Sequence, residues 1–251
     1  MRFFVIIPAR YASSRLPGKV LLDIAGKSML QRVFDNATAS DAVDVVVATD
    51  DTKVENAARG FGATVVMTSS EHRSGTERLA EATGHLGLEA DDIVVNVQAD
   101  EPLMPGALMR QVALGLAQNP TCSIATLCEP IDEESTLFDP NAVKVVCDQH
   151  QRALYFSRAP VPWVRDAFAA GNQTPTGLHF RHIGLYAYRV GYLQEYAVRP
   201  PCALELAESL EQLRALDAGD QIHVGVAEQD PGPGVDTADD LARARTLAVA
   251  L

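Results

Sequence analysis

Residues 43–51, VDVVVATDD, form an apolar run broken only by Asp44 and closed by Thr49, Asp50 and Asp51. Without a polar residue at every second position, the run fits a strand buried on both faces, as in a parallel sheet covered by helices above and below. Upstream, FFVII (3–7) has the same character. Between the two, starting at Ser28, the residues Met29, Leu30, Val33, Phe34 and Ala37 fall on one helical face, and Ser28 with Gln31 makes a capping box. Strand, helix, strand in that order is a βαβ unit with a right-handed crossover.

The rhythm continues downstream. A helix over about 52–60 is stopped by Gly60 and Gly62, and ATVVMT (63–68) follows as a strand. A helix from about Thr76 to His85, the strand DIVVNVQAD (92–100) and a helix from about Pro105 to Gln118 come next, with Pro105 suited to the first helical turn. This alternation predicts an α/β fold with a doubly wound, mostly parallel sheet. Ligands in such sheets sit at the carboxyl ends of the strands.

Beyond residue 120 the pattern shifts to SIATLC (123–128), AVKVVCD (142–148), ALYFSR (153–158) and HIGLYAYR (182–189). These read as strands with short connections, forming a smaller antiparallel β lobe. A helix over 204–216, with Leu206, Leu210, Leu213 and Leu216 at helical spacing, a strand at 222–226 and a last helix from Thr237 return to the main sheet. The expected organisation is one domain over 1–251: a half at 1–120, the β-rich lobe at about 121–200, and the return at 201–251. The stretch 165–178, rich in Gly, Asn, Thr and Pro, reads as a mobile loop.

A net charge of −12 argues against a surface that coats nucleic acid, so a bound polyanion needs a local cationic pocket. No apolar run reaches the length of a membrane span and no signal peptide precedes Phe3, so a cytoplasmic protein without membrane insertion is expected. Cys122, Cys128, Cys147 and Cys202 have no CxxC spacing and read as reduced thiols without a function.

Such a pocket is suggested by IIPARYASSRLPGK (6–19), where Arg10, Arg15 and Lys19 surround one turn at the end of a strand. Ser13 stands where the first Gly of a Walker A loop belongs and Val20 where its Ser or Thr belongs, and no GxGxxG is present. The nearest acid is Asp23, so local ion pairs do not account for the three cations, which together suit a triphosphate. A second cluster is VNVQADEP (95–102), which puts Asp100 at the sheet edge, where a carboxylate can hold Mg²⁺ together with phosphate oxygens. Taken alone, Asp100 is equally a turn cap. In GVDTADDL (234–241) Thr237 and Asp240 make a capping box, with Asp236 just outside the helix. Two separated carboxylates and a cationic loop are the parts required for metal-assisted phosphoryl transfer. Ser74 and Gly75 precede a helix N-terminus, which by itself is an ordinary cap. Glu211 and Gln212 face either a site or water, and His179 and His182 read as structural or substrate-contacting rather than metal ligands.

The stretches IIPARYASSRLPGK, SGTERLAEA, NVQADEP, NAVKVV, ALYFSRAPVPW, RHIGLYAYR, LEQLR and GVDTADDL resemble, in order over nearly the whole chain, the 3-deoxy-manno-octulosonate (Kdo) cytidylyltransferases. The resemblance implies a nucleotide-diphospho-sugar transferase-like fold with residues 1–120 as the nucleotide-binding half. It implies transfer of the cytidylyl group of CTP to Kdo, giving CMP-Kdo and pyrophosphate for lipopolysaccharide, and a homodimer formed through the β-rich lobe. Arg10, Arg15 and Lys19 would bind the triphosphate, with Lys19 near the α-phosphate. Asp100 and Asp236 would hold Mg²⁺. Pro8, Ala9, Ser74, Gly75, Arg78 and Gln98 fall around the nucleotide, and Arg158, His182, Tyr186, Glu211 and Gln212 around the sugar. Ala99 departs from the family's usual NVQGDEP, and would strain the turn by about 1 kcal/mol if that position needs positive φ. The alternatives are a cytidylyltransferase for the 8-amino analogue of Kdo or a sialic acid, and a non-catalytic nucleotide-binding module.

Overall fold

The structure, a computed structural model, describes residues 1–12, 16–72 and 74–250. β1 (Phe3–Ala9) is buried at all 7 positions, as its unbroken apolar composition requires. A small hairpin of β2 (Asp23–Ile24) and β3 (Lys27–Ser28) leads into α1 (Met29–Thr38), where the Ser28 hydroxyl accepts the Gln31 amide. β4 (Val45–Thr49) is buried throughout. The Asp51 carboxylate then accepts the amides of Lys53 and Val54 and starts α2 (Thr52–Gly60). β5 (Thr64–Met67), α3 (Gly75–His85), β6 (Ile93–Asn96) and α4 (Gly106–Gln118) complete the first half, with Pro105 as N-cap of α4 rather than its first helical residue.

The second half holds β7 (Ile124–Pro130), α5 (Glu134–Phe138), β8 (Lys144–Cys147), β9 (Ala153–Ser157), α6 (Arg165–Ala169), β10 (Phe180–Arg189) and α7 (Val190–Ala197). It ends with α8 (Ala203–Glu208), α9 (Leu213–Asp217), β11 (Ile222–Val226) and α10 (Ala238–Ala250). The sheet runs β5-β4-β1-β6-β10-β7-β11, with β1, β4, β5 and β6 parallel to one another and β11 parallel to β7. Only β10 runs against its neighbours β6 and β7 along this path. The β8-β9 hairpin hangs from the first residues of β10. The antiparallel part thus grows out of the main sheet instead of standing apart from it.

β1 alternates between two cores. Val5 and Ile7 pack with Leu30, Val33, Leu108 and Val112 on one face, while Ile6 packs with Leu79, Leu193 and Leu213 on the other. The expected helix over 204–216 is two short helices, because Ser209 takes a left-handed conformation (φ 52) and turns the chain. Leu206 consequently lies 69% exposed, while Leu210 and Leu213 are buried, so the four leucines do not share one face. The stretch 165–178 contains α6, whose Phe168 anchors a satellite cluster with Ile131 and Leu137. The strand read at 92–100 leaves the ladder after Asn96, and a turn closed by the Glu101 amide on the Gln98 carbonyl presents Gln98–Asp100 at the edge.

Candidate active site

The carboxyl ends of β1 and β6 place Pro8, Arg10, Gln98 and Asp100 around one cleft of about 320 Å³. Lys19 enters it from a single 3-10 turn that begins after Gly18. Gly18 has φ 67, and a Cβ there would lie 3.2 Å from the Tyr11 ring, so both backbone and space call for glycine. The Gly18 amide donates to the Tyr11 carbonyl at 3.2 Å and closes the loop.

The Lys19 ammonium donates to Asp100 Oδ2 at 2.8 Å and to Asp236 Oδ1 at 3.0 Å. Burial alone would lower this amine, but the two carboxylates outweigh it and hold Lys19 above its ordinary value. Asp236 reaches the cleft because the Val235 amide donates to the Asp100 carbonyl at 2.9 Å. The capping box expected at Thr237 and Asp240 forms: the Asp240 amide donates to the Thr237 hydroxyl at 3.2 Å and the Thr237 amide to Asp240 Oδ2 at 2.8 Å. Residues distant in sequence therefore deliver two carboxylates and one cation to a single point.

Glu101 belongs to the same cluster, a placement that the sequence did not signal. Its carboxylate lies against Gly234, where a Cβ would fall 2.9 Å from Oε1. Burial, reinforced by Asp100, pushes its pKa up to about 8. Ala99 lines the cleft and is buried without positive φ, so the substitution of the family's usual Gly carries no backbone strain.

Of the residues expected around the nucleotide, some line the cleft and others do not. Pro8, Arg10, Gly75 and Gln98 line the cleft, and Pro8 Cγ lies 3.4 Å from where a Gly75 Cβ would stand, so α3 begins hard against the end of β1. Arg10 donates to the carbonyls of His72 and Ser74, and Ser74 caps α3 by accepting the Glu77 amide. Ala9 is buried within β1 and paired with Thr49. Arg15 lies outside the described residues.

Arg78 departs from expectation. Its side chain is fully buried and donates to Asp50 Oδ2 at 2.9 Å and to the Thr68 hydroxyl, tying α3 to the ends of β4 and β5 instead of lining the cleft. Asp50→Ala leaves that guanidinium buried without a counter-charge, and is expected to cost about 3–5 kcal/mol of stability in denaturant unfolding.

Of the residues expected around the sugar, His182 and Tyr186 stand together on β10 with ring centroids 5.3 Å apart, and Tyr186 pairs with Asn96, two residues before Gln98. Glu211 is raised by burial, and its Oε1 is buried without a hydrogen-bond partner among the described residues. It shares a second hollow of about 550 Å³ with Ser74, Glu77 and Arg214. Gln212 is buried at the start of α9. Arg158 is not brought to this group: it donates to the carbonyls of Glu208 at 2.6 Å, Pro140 at 2.8 Å and Ser209 at 3.4 Å, bracing the end of α8. His179 is structural, accepting the Thr176 amide at 2.8 Å through Nδ1 and meeting the Pro162 carbonyl at 3.0 Å through Nε2.

Burial, helped by Arg181, pushes the His182 imidazole down to about 3 from an ordinary 6.5. Between those values the unfolded chain binds the proton and the folded chain does not, so this contribution to stability is present above 6.5 and is lost as pH falls towards 3. His182→Gln is expected to flatten the stability–pH curve in that window by about one proton, and equal slopes in the two proteins would contradict the assignment.

The sequence model of the cytidylyltransferase family matches residues 4–222. A 3-deoxy-manno-octulosonate cytidylyltransferase of Hahella chejuensis (strain KCTC 2396) is 56% identical over 247 residues, covering 98% of this chain and 97% of that protein. One of Marinobacter nauticus (strain ATCC 700491 / DSM 11845 / VT8) is 55% identical over 253 residues with the same coverage. The chain belongs to the 3-deoxy-manno-octulosonate cytidylyltransferases. A solved structure of CMP:2-keto-3-deoxy-manno-octonic acid synthetase complexed with CTP matches this cytidylyltransferase with a TM-score of 0.91 and 42% identity over 100% of this chain and 99% of that one. A cytidylyltransferase from Leptospira borgpetersenii serovar Hardjo-bovis (strain JB197), at TM-score 0.65 and 17% identity over 100% and 88% of the chains, shares the fold.

Proposed function

We propose that this enzyme joins CTP to Kdo through the cleft at the ends of β1 and β6, with Lys19, Asp100 and Asp236 as its reacting-centre residues. The observation that carries the reading is the meeting of one ammonium and two carboxylates, within 3.0 Å, at the mouth of that cleft. The anomeric hydroxyl of Kdo attacks the α-phosphorus of CTP, a new oxygen–phosphorus bond forms, the bond to the β-phosphate oxygen breaks, and pyrophosphate leaves. The hydroxyl proton passes to solvent. Negative charge gathers on the α-phosphoryl oxygens and the leaving group, so positioning and neutralisation supply most of the acceleration. Lys19 meets that charge, while Pro8, Gly75 and Gln98 shape the nucleotide side.

Asp100 and Asp236 fit a divalent cation: both place an oxygen beside the point where the Lys19 ammonium stands, and hard oxygen donors suit Mg²⁺. Among the described residues no third carboxylate, His or Cys completes a site, so phosphate oxygens and water must fill the remaining positions. An ion held there would neutralise charge on the α-phosphate and lower the pKa of the attacking hydroxyl. Pyrophosphate release from CTP and Kdo is expected to stop on chelation and to return with Mg²⁺; release unaffected by chelation would overturn the metal assignment.

We also propose a homodimer and a cytoplasmic place in the supply of activated Kdo to lipopolysaccharide. Exposed Leu154, Trp163 and Leu178, all within the β-rich stretch, support a subunit contact there. No helix among the described residues is long and apolar enough to cross a membrane.

A further inference from the structure

The register of β10 against β7 breaks between Ile183 and Tyr186: Leu127 pairs with Ile183 and Thr126 with Tyr186, leaving Gly184 and Leu185 out of the ladder. The Thr126 hydroxyl fills this bulge. Its oxygen lies 3.0 Å from the Ile183 carbonyl, 2.9 Å from the Leu185 carbonyl and 2.9 Å from His182 Nε2. A hydroxyl has one proton to give, and the two carbonyls can only accept. An unprotonated Nε2 would set a third lone pair against the same oxygen, so Nε2 carries the proton and donates to Thr126.

The consequence lies on the other side of the ring. With Nε2 protonated and the imidazole neutral, Nδ1 keeps its lone pair, and it has no partner among the described residues. Phe156, edge-on at 5.0 Å, and Tyr186 at 5.3 Å hold the ring plane. We propose that Thr126 is a positioning residue for the acceptor sugar: it locks His182 in the Nε2–H tautomer, so that Nδ1 accepts a hydroxyl of Kdo. This inference rests on the place beside the sugar that the family resemblance implies for His182.

Thr126→Val and Thr126→Ser, made in the full chain and compared with His182→Gln, test it. Thr126→Val is expected to raise KM for Kdo about tenfold, the size of one neutral hydrogen bond lost, with KM for CTP within about twofold of the parent. Thr126→Ser keeps the hydroxyl and restores KM. Long-range ¹⁵N–¹H spectra of histidine-labelled protein should show His182 as Nε2–H in the parent and in Thr126→Ser, with that preference lost in Thr126→Val. An Nδ1–H signal in the parent would overturn the proposal even if Thr126→Val fails to fold. A folded Thr126→Val with unchanged tautomer and unchanged KM for Kdo, beside a His182→Gln that raises KM, would also overturn it. Should His182→Gln leave KM for Kdo unaltered, the sugar-side reading of His182 fails instead.

Discussion

Replacing Lys19 with alanine is expected to lower turnover of CTP and Kdo by about 10²–10³-fold, the range found when one preorganised donor to a developing oxyanion is removed. The side chain stands beside Asp100 and Asp236 at 2.8 and 3.0 Å, so its charge is already at the cleft when substrate arrives, and a cation taken up by the two carboxylates would free the ammonium for the phosphates. Its loss also leaves Asp100 and Asp236 facing one another without their shared cation, which disfavours a polyphosphate in the same cleft. CTP binding should weaken as well, but by much less than turnover, because the α-phosphoryl charge grows in the transition state. Steady-state kinetics beside calorimetric CTP binding separate the two effects. Equal losses in binding and turnover would mean that Lys19 merely holds the nucleotide. Lys19→Arg is not expected to rescue, because a planar guanidinium cannot sit as a point charge between the two aspartates.

Asp236→Asn is expected to reduce turnover by about 10²-fold or more while nucleotide affinity measured without divalent cation stays within a few-fold of the parent. The carboxylate stands at the mouth of the cleft just before α10, and the Thr237–Asp240 cap that orients it is untouched by the change. Chelation should abolish turnover in the parent and take little more from the variant. A variant that keeps full turnover would remove Asp236 from the reacting centre. Retained turnover would not restore a non-catalytic module, since such a module turns nothing over.

The elements that position this site were legible because local rules agree there. The apolar runs of β1 and β4 and the Thr237–Asp240 box each carry a signal within a few residues and form as read, and of the box read at Ser28 and Gln31 the Ser28 hydroxyl accepts the Gln31 amide. The Lys19–Asp100–Asp236 convergence spans 217 residues of sequence, yet it follows from placing two strand ends and one helix start at the same sheet edge.

Where tertiary context decides, the sequence is silent or misleading. Helical leucine spacing over 204–216 gives no hint of the left-handed Ser209, whose turn sends Leu206 to solvent. α7 follows β10 directly with no side-chain cap, so nothing local marks its start. The family resemblance sets Arg78 beside the nucleotide and Arg158 beside the sugar, whereas the partners they have here, Asp50, Thr68 and the carbonyls near α8, come from other elements. The role of Thr126 depends on a strand bulge that no local pattern encodes. The residues that meet at the sheet edge are thus more legible in the sequence than the shell that holds them.

The most direct test of cytidylyl transfer to Kdo is pyrophosphate release from CTP and Mg²⁺, run with Kdo, with its 8-amino analogue, with N-acetylneuraminate and with no sugar. Release with Kdo well above the other three, with CMP-Kdo formed in equal amount, is the expected result. Preference for another sugar, or no release with any acceptor despite CTP binding, would contradict it.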